Sequence, residues 1–256
     1  MVECKKTEGV PIAALWGCCI LSPSDFGEET MRKENYELME NYMLSCMEDS
    51  AHDQEHIYRV LYHALEIAGE EVAVDYDVLI AACLLHDIGR KEQFADPTLC
   101  HALVGAEKAY RFLMTNGFDE DFSQKVKHCI QTHRFRKSMQ PESLEVKILF
   151  DADKLDVTGA LGIARTLMYK GNVAEPIYHV LPNGRISDGT EDTAPSFFRE
   201  YKFKLEKLYD QFYTAKGTQL AQQRQEIAVA FYENLYREVN TGYQSGRELL
   251  RERVNE

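Results

Sequence analysis

The chain lacks an excess of positive charge, cysteines paired at metal or disulfide spacing, internal repeats, and any apolar run long enough to cross a bilayer. Each lack removes a class of protein. With 29 Lys and Arg against 42 Asp and Glu, and a formal net charge of −13, there is no basic field to displace counterions from nucleic acid, so a nucleic-acid coating role is excluded. An anionic substrate must be held by local charge, from a cation or a few arginines. Seven cysteines, an odd number, are scattered from Cys4 to Cys129 without a CxxC pair, which fits a reducing compartment better than a disulfide framework. The cytoplasm is therefore the expected location. The apolar stretch 9–21 is too short to span a membrane. With Lys5 and Lys6 ahead of it the stretch has some likeness to a secretory or lipoprotein leader, but Trp16, Glu3 and Glu8 argue against one. A tail folded against the domain, or an upstream start with Met31 as the true initiator, is the preferred reading of residues 1–30.

What is present is enough apolar residue for a core, 45% of 256, in patterns of helical period. Met31, Tyr36, Met39, Tyr42, Met43 and Met47 share a face. Asp49 or Ser50 could cap the following helix, about 53–69, where His56, Val60, His63 and Ile67 form a stripe with Arg59 at its edge. The run VLIAACLLHDIGRK, residues 78–91, gives a buried helix that ends abruptly in His86 and Asp87. RKEQFADPTL then reads as a loop at the mouth of a site, and the next helix opens at His101. In the helix of about 121–134, His133 falls in line with Phe122, Val126, Cys129 and Ile130, whereas His128 points to nearly the opposite face. Along VKILFDADKLDVTGALGIA, taken as one helix that runs out near Gly171, Asp153 sits at the centre of a stripe of Val146, Leu149, Phe150, Val157 and Ala160. Asp151 points about 160° away at 100° per residue, and Asp156 lies at the stripe's edge. Residues 171–196, rich in Gly, Pro, Asp and Thr, read as an irregular excursion with a possible hairpin at PNG and as a mobile cover over the site. Two closing helices carry Phe198, Tyr201, Leu205, Leu208 and Phe212, then, after a break at Gly217, Leu220, Ile227, Phe231 and Leu235. The charged end, 241–256, is expected to fray.

The inward polar residues are thus His56, His86, Asp87 and Asp153, with His101 and His133 as two further imidazoles. A histidine on an apolar face is more often a satisfied core residue than a ligand, and His63 keeps that reading. Buried imidazoles and carboxylates on separate helices need a cation or other partners, and a set of nitrogens and carboxylates without Cys suits Mn, Fe, Ni, Co or Zn rather than a structural zinc.

The ordered series H...HD...D, carried by HDQEHIYRV, LLHDIGRK and DADKLD, resembles the HD-domain superfamily of metal-dependent phosphohydrolases. DADKLDVTGALGIARTLMY and FKLEKLYDQFYTAKGTQLAQQR look like its bacterial branch that includes manganese-dependent nucleotide pyrophosphohydrolases, over roughly 45–240. The resemblance implies an all-α, single-domain helical bundle over 31–240, between the 1–30 extension and the 241–256 tail. It also implies His56, His86, Asp87 and Asp153 as ligands of one metal. HALVGAEKA and IQTHR depart from that branch: they place His101 and His133 where two-metal members of the superfamily carry ligands of a second ion, which would make Asp87 a bridge. One ion or two stays open at this point.

The implied activity is hydrolysis of a phosphate ester or anhydride of a small molecule, a nucleotide in the first instance, by a hydroxide formed on the metal. Asp87 and Lys91 are the candidate catalytic residues, and Arg59, Arg90, Arg134, Lys154 and Arg165 the candidates for gripping phosphate. A homodimer is compatible with the closing helices. The alternatives are a di-iron oxygenase of the same superfamily and a catalytically silent nucleotide sensor.

Overall fold

The computed structural model describes residues 31–47, 54–134 and 141–254. The leader-like stretch of 1–30 and the candidate caps Asp49 and Ser50 lie outside the described residues. The architecture is all-α, and an isolated antiparallel bridge, Val180 with Ile186, is the one β feature among the described residues. No helix among them is long and apolar enough to cross a membrane.

Helix α3 (Tyr76–Leu85) is the element the others enclose. Val78, Leu79, Ala81, Ala82, Cys83, Leu84 and Leu85 are all buried, so it has no face to offer water and must be surrounded. The Asp75 side chain caps its start, accepting from Val78 N at 3.1 Å. Around it pack α1 (Lys33–Met47), α2 (Gln54–Ala68), α5 (His101–Thr115), α6 (Glu120–Thr132) and α7 (Leu144–Leu155). The methionine face of α1 is buried as its period predicts, through Met39, Met43 and Met47. Helix α5 comes unusually close to the turn after α3. A Cβ on Gly89 would lie 2.3 Å from His101 O and 2.6 Å from Gly105 N, so glycine at 89 permits the backbone contact. The segment expected to be a loop after Asp87 instead holds a short helix, α4 (Arg90–Ala95), fastened by Lys108 Nζ, which donates to Ile88 O and Glu92 Oε1.

Several expectations need correction. The helix bearing Asp153 does not run through to Gly171. It ends at Leu155, Thr158 Oγ1 donates to Leu155 O, and Gly159 turns the chain at φ 60°. A separate helix, α8 (Gly159–Asn172), begins there, and Ala160 is exposed. The penultimate helix is likewise short: α9 (Phe197–Phe203) gives way at Lys204 to a 3₁₀ segment, Leu205–Asp210. Gly217 is not a break. It lies in the first turn of α10 (Ala215–Val254), which continues through the charged end of the chain. The apolar face of α10 is also rotated from the expected one, since Ala221, Ala228 and Tyr232 are buried whereas Ile227 and Phe231 are exposed. The hairpin in 171–196 is present, with Leu181 N donating to Arg185 O at 2.8 Å. The excursion is seated on α9 and α10, through Ile186 in the core, Arg247 on Gly184 O and Tyr232 on Asp188 O.

Asp151 points away from Asp153, as its helical step predicts, and on that second face it is fully buried. Its carboxylate accepts from Tyr213 N, Thr214 N and Thr214 Oγ1, the last at 2.7 Å, while Thr214 Oγ1 accepts from Gly217 N. A Cβ on Gly217 would meet Asp151 Oδ2 at 2.5 Å. Asp151 thereby fixes the start of the long α10 to the helix that presents Asp153. Asp151→Ala should cost about 2–3 kcal/mol of stability, as expected for bonds to a charged acceptor. Urea denaturation checks this, and Thr214→Val should cost less in that background than in the parent, because the Asp151 bond is already gone and only the bond from Gly217 N remains to be lost. Full additivity of the two changes would contradict the link.

Candidate metal centre

The polar residues singled out by the sequence arrive from α3 and four of the helices packed on it. His56 lies in the first turn of α2, His86 is the C-cap of α3 with Asp87 beside it, His101 opens α5, His133 is the C-cap of α6, and Asp153 lies near the end of α7. Their ligand-type atoms form two groups, His56 with His86 and Asp153, and Asp87 with His101 and His133, the atoms of each within 4.8 Å of one another. The groups adjoin: the rings of His86 and His133 stand 5.3 Å apart edge to face. Asp87 addresses both, with Oδ1 3.4 Å from His101 Nε2 and Oδ2 3.7 Å from His56 Nε2. Five of the six side chains are buried, and Asp153, 27% exposed, marks the side that opens to solvent. His128, on the other face of α6, is exposed, and His63 is half-buried with its Nε2 3.0 Å from Arg224 Nη2.

Each imidazole is held from behind. The Nδ1 of His86 donates to Cys83 O at 2.8 Å, that of His133 to Ile130 O at 2.6 Å, that of His56 to Asp156 Oδ2 at 2.7 Å, and that of His101 to Gln93 Oε1 at 2.7 Å. A proton on Nδ1 leaves Nε2 as a lone pair, and all four Nε2 atoms point inward. They meet carboxylate oxygens, which are acceptors too. His56 Nε2 is 3.3 Å from Asp153 Oδ1, and the Nε2 atoms of His86, His101 and His133, with Asp87 Oδ1, are buried without a hydrogen-bond partner. Acceptors facing acceptors in a dry interior cost about 1–3 kcal/mol for each unsatisfied group. A divalent cation satisfies them together, and nitrogen and oxygen donors on rigid elements suit one.

Electrostatics point the same way. Burial lowers the affinity of His86 for a proton and pushes His133 down to about 4 and His101 to about 3, so these rings are neutral and their lone pairs are free for a metal. Burial alone would raise Asp87 and Asp153. Charge taken up by the surrounding imidazoles as they protonate, joined at Asp87 by the Arg90 guanidinium 3.0 Å from Oδ2, outweighs it and holds both carboxyls below their usual range.

The cationic candidates differ in placement. Arg59 and Arg165 both bond the Asp156 carboxylate, Arg59 through Nε at 2.6 Å. Arg90 is half-buried on Asp87, Lys91 and Arg134 are exposed, and Lys154 stands over the Phe150 ring at 4.6 Å. Sequence reasoning missed Gln93 and placed Asp156 only at the edge of a stripe. Asp156 is fully buried and binds His56, Arg59 and Arg165 at once. The signal for it was Arg59 one turn from His56, a cation beside a ligand that calls for an anion between them.

The segment that carries this arrangement is similar to known proteins. Residues 54–158 match the family model of the HD domain, a span that contains all six side chains of the two groups. The chain is 29% identical over 197 residues to the protein YpgQ of Bacillus subtilis (strain 168), covering 75% of this chain and 86% of that one. The crystal structure of YpgQ in complex with ADP superposes with a TM-score of 0.62 at 27% identity, over 80% of this chain and 97% of that chain. The crystal structure of an HD-superfamily hydrolase from Bacillus thuringiensis superposes with a TM-score of 0.64 at 29% identity, over 82% and 99%.

The lowered imidazole values carry a definite sign. In metal-free protein the unfolded chain takes up protons at pH values near 6.5, where buried His133 does not until about 4, so stability falls as pH drops through that window. The slope is about 1.4 kcal/mol per pH unit for each proton taken up. The lowered carboxylates extend the loss below their ordinary value of 3.8. Denaturation of metal-free protein between pH 7 and pH 4 checks this, and His133→Gln should flatten the curve; an unchanged slope would contradict it.

Proposed function

We propose that the chain is an HD-domain metal-dependent phosphohydrolase, as the match of residues 54–158 to the HD-domain model and the likeness to an HD-superfamily hydrolase support, and that it hydrolyses a phosphate ester or anhydride of a small molecule, a nucleotide in the first instance, with two divalent ions. The observation that carries this reading is the set of buried imidazole and carboxylate acceptors that face one another without a donor between them. His56, His86 and Asp153 would hold one ion and Asp87, His101 and His133 the other, with one Asp87 oxygen turned toward each group. Ions so held would supply an acidified water and neutralise charge on phosphoryl oxygens.

The chain's own residues do the rest. Arg90 steadies Asp87, and with the exposed Lys91 and Arg134 it forms a cationic edge able to take non-bridging phosphate oxygens. Arg59 and Arg165 serve through Asp156, fixing the ring of His56. Lys154 is positioned beside Asp153 at the open side. Nucleotide preference, and with it a place in the branch of manganese-dependent nucleotide pyrophosphohydrolases, is supported by the resemblance to YpgQ, whose crystal structure contains ADP.

Reconstituted protein should therefore contain close to two metals per chain. His101→Gln and His133→Gln should each reduce that toward one and depress hydrolysis, since glutamine replaces an imidazole donor poorly. The exposed His128→Gln is the control and should change neither. Asp153→Ala should lose metal with little loss of stability. A screen of nucleotides and phosphate esters against Mn, Fe, Ni, Co and Zn tests the activity; nucleotide bound and recovered unchanged with every ion would make the protein a sensor instead.

A further inference from the structure

The two groups are not backed alike. Behind His86 and His133 stand carbonyls of their own helices, Cys83 O and Ile130 O, acceptors that come with the fold. Behind His56 stands the buried carboxylate of Asp156. Behind His101 stands only an amide, and its orientation is fixed: Gln93 Nε2 donates to Leu99 O at 3.1 Å, leaving Oε1 to accept from His101 Nδ1. The amide cannot turn over without losing its bond to Leu99 O and setting two oxygens face to face.

An anionic acceptor makes an imidazole a stronger donor to a cation than a neutral one does, because it stabilises the positive charge the ring acquires. The charges around the groups add to the difference. Arg59 and Arg165, near His56, both bond Asp156. On the other side Arg134 Nη1 lies 3.4 Å from His101 Nδ1, and among the described residues no carboxylate is bonded to it, whereas Arg165 Nη1, 2.9 Å from His56 Nδ1, is balanced by Asp156; Arg90 sits on Asp87 Oδ2, the oxygen turned toward His56. Guanidinium groups repel a cation and attract phosphate.

We propose that Gln93 is a positioning residue that makes the Asp87, His101 and His133 group the weaker, separately filled ion position, suited to an ion that arrives with the substrate's phosphate. The proposal rests on the two-ion reading above, but its test does not rest on turnover. Full-length metal-free protein is titrated with Co²⁺ or Mn²⁺ by calorimetry, and metal content is measured after equilibrium dialysis. The parent protein should fill in two steps. Gln93→Leu should weaken the second step by about 10–100-fold, as loss of a supporting hydrogen bond does at metal sites, and leave the first unchanged. Gln93→Glu keeps an acceptor and makes it anionic, so it should strengthen the second step. Asp156→Asn should weaken the first step instead. Equal binding of both ions in the parent, one ion per chain at all concentrations, or a Gln93→Leu profile identical to the parent would overturn the proposal. If Gln93→Leu fails to fold, Gln93→Glu decides alone, and an unstrengthened second step counts against it. Two unequal steps without hydrolysis of any phosphate ester would leave this inference standing and refute only the proposed reaction.

Discussion

Lone pairs turned toward lone pairs in the interior are the constraint from which the structure follows. Four imidazoles protonated on Nδ1 and two carboxylates converge on a space from which solvent is largely excluded. Such a set repels itself unless a cation lies within it, so the apolar helices around it must be stable enough to hold the ligands in place before any ion arrives. Buried α3 supplies that support. Because the other ligand helices pack against α3 or meet the turn that follows it, an ion bound between their side chains would tie the bundle together at its centre.

Placement at helix ends makes the convergence possible. His86 and His133 are C-caps and His101 is a first helical residue, so three ligand rings stand at helix ends, where separate helices can bring them into a common space. The same placement provides the i−3 carbonyls that fix two of the rings. Farther out, Asp151 fastens α10 to α7, while Arg224 of α10 donates to Leu155 O at the end of the Asp153 helix. The C-terminal helix thus steadies the ligand helix although it contributes no member of either group.

Helix existence and the inward faces of His56, His133 and Asp153 were legible because single helices obey a 100° step and bury one side. The same step placed Asp151 off the Asp153 face, but it could not say that a second buried surface waits there. The break at Thr158 and Gly159 was hidden because an apolar stripe continued across it, and Ala160 fell on the stripe by count alone. The rotated face of α10 reflects a surface set by α8 and by tyrosines of α9 and α10, which residue spacing does not contain. Gln93 could not be found from periodicity, since its role depends on a short helix bringing an amide 2.7 Å from a ring eight residues away.

The central claim is that the converging acceptors enclose two divalent ions. Crystals grown with Mn²⁺ or Co²⁺, with diffraction recorded at the metal's absorption edge, locate such ions without assuming any activity. Two anomalous peaks are predicted. One should lie about 2.0–2.3 Å from the Nε2 atoms of His56 and His86, and the other at similar distances from those of His101 and His133, as is usual for nitrogen ligands of first-row metals, with Asp87 between them. No peak within either group, or ions bound only at surface carboxylates, would contradict the account.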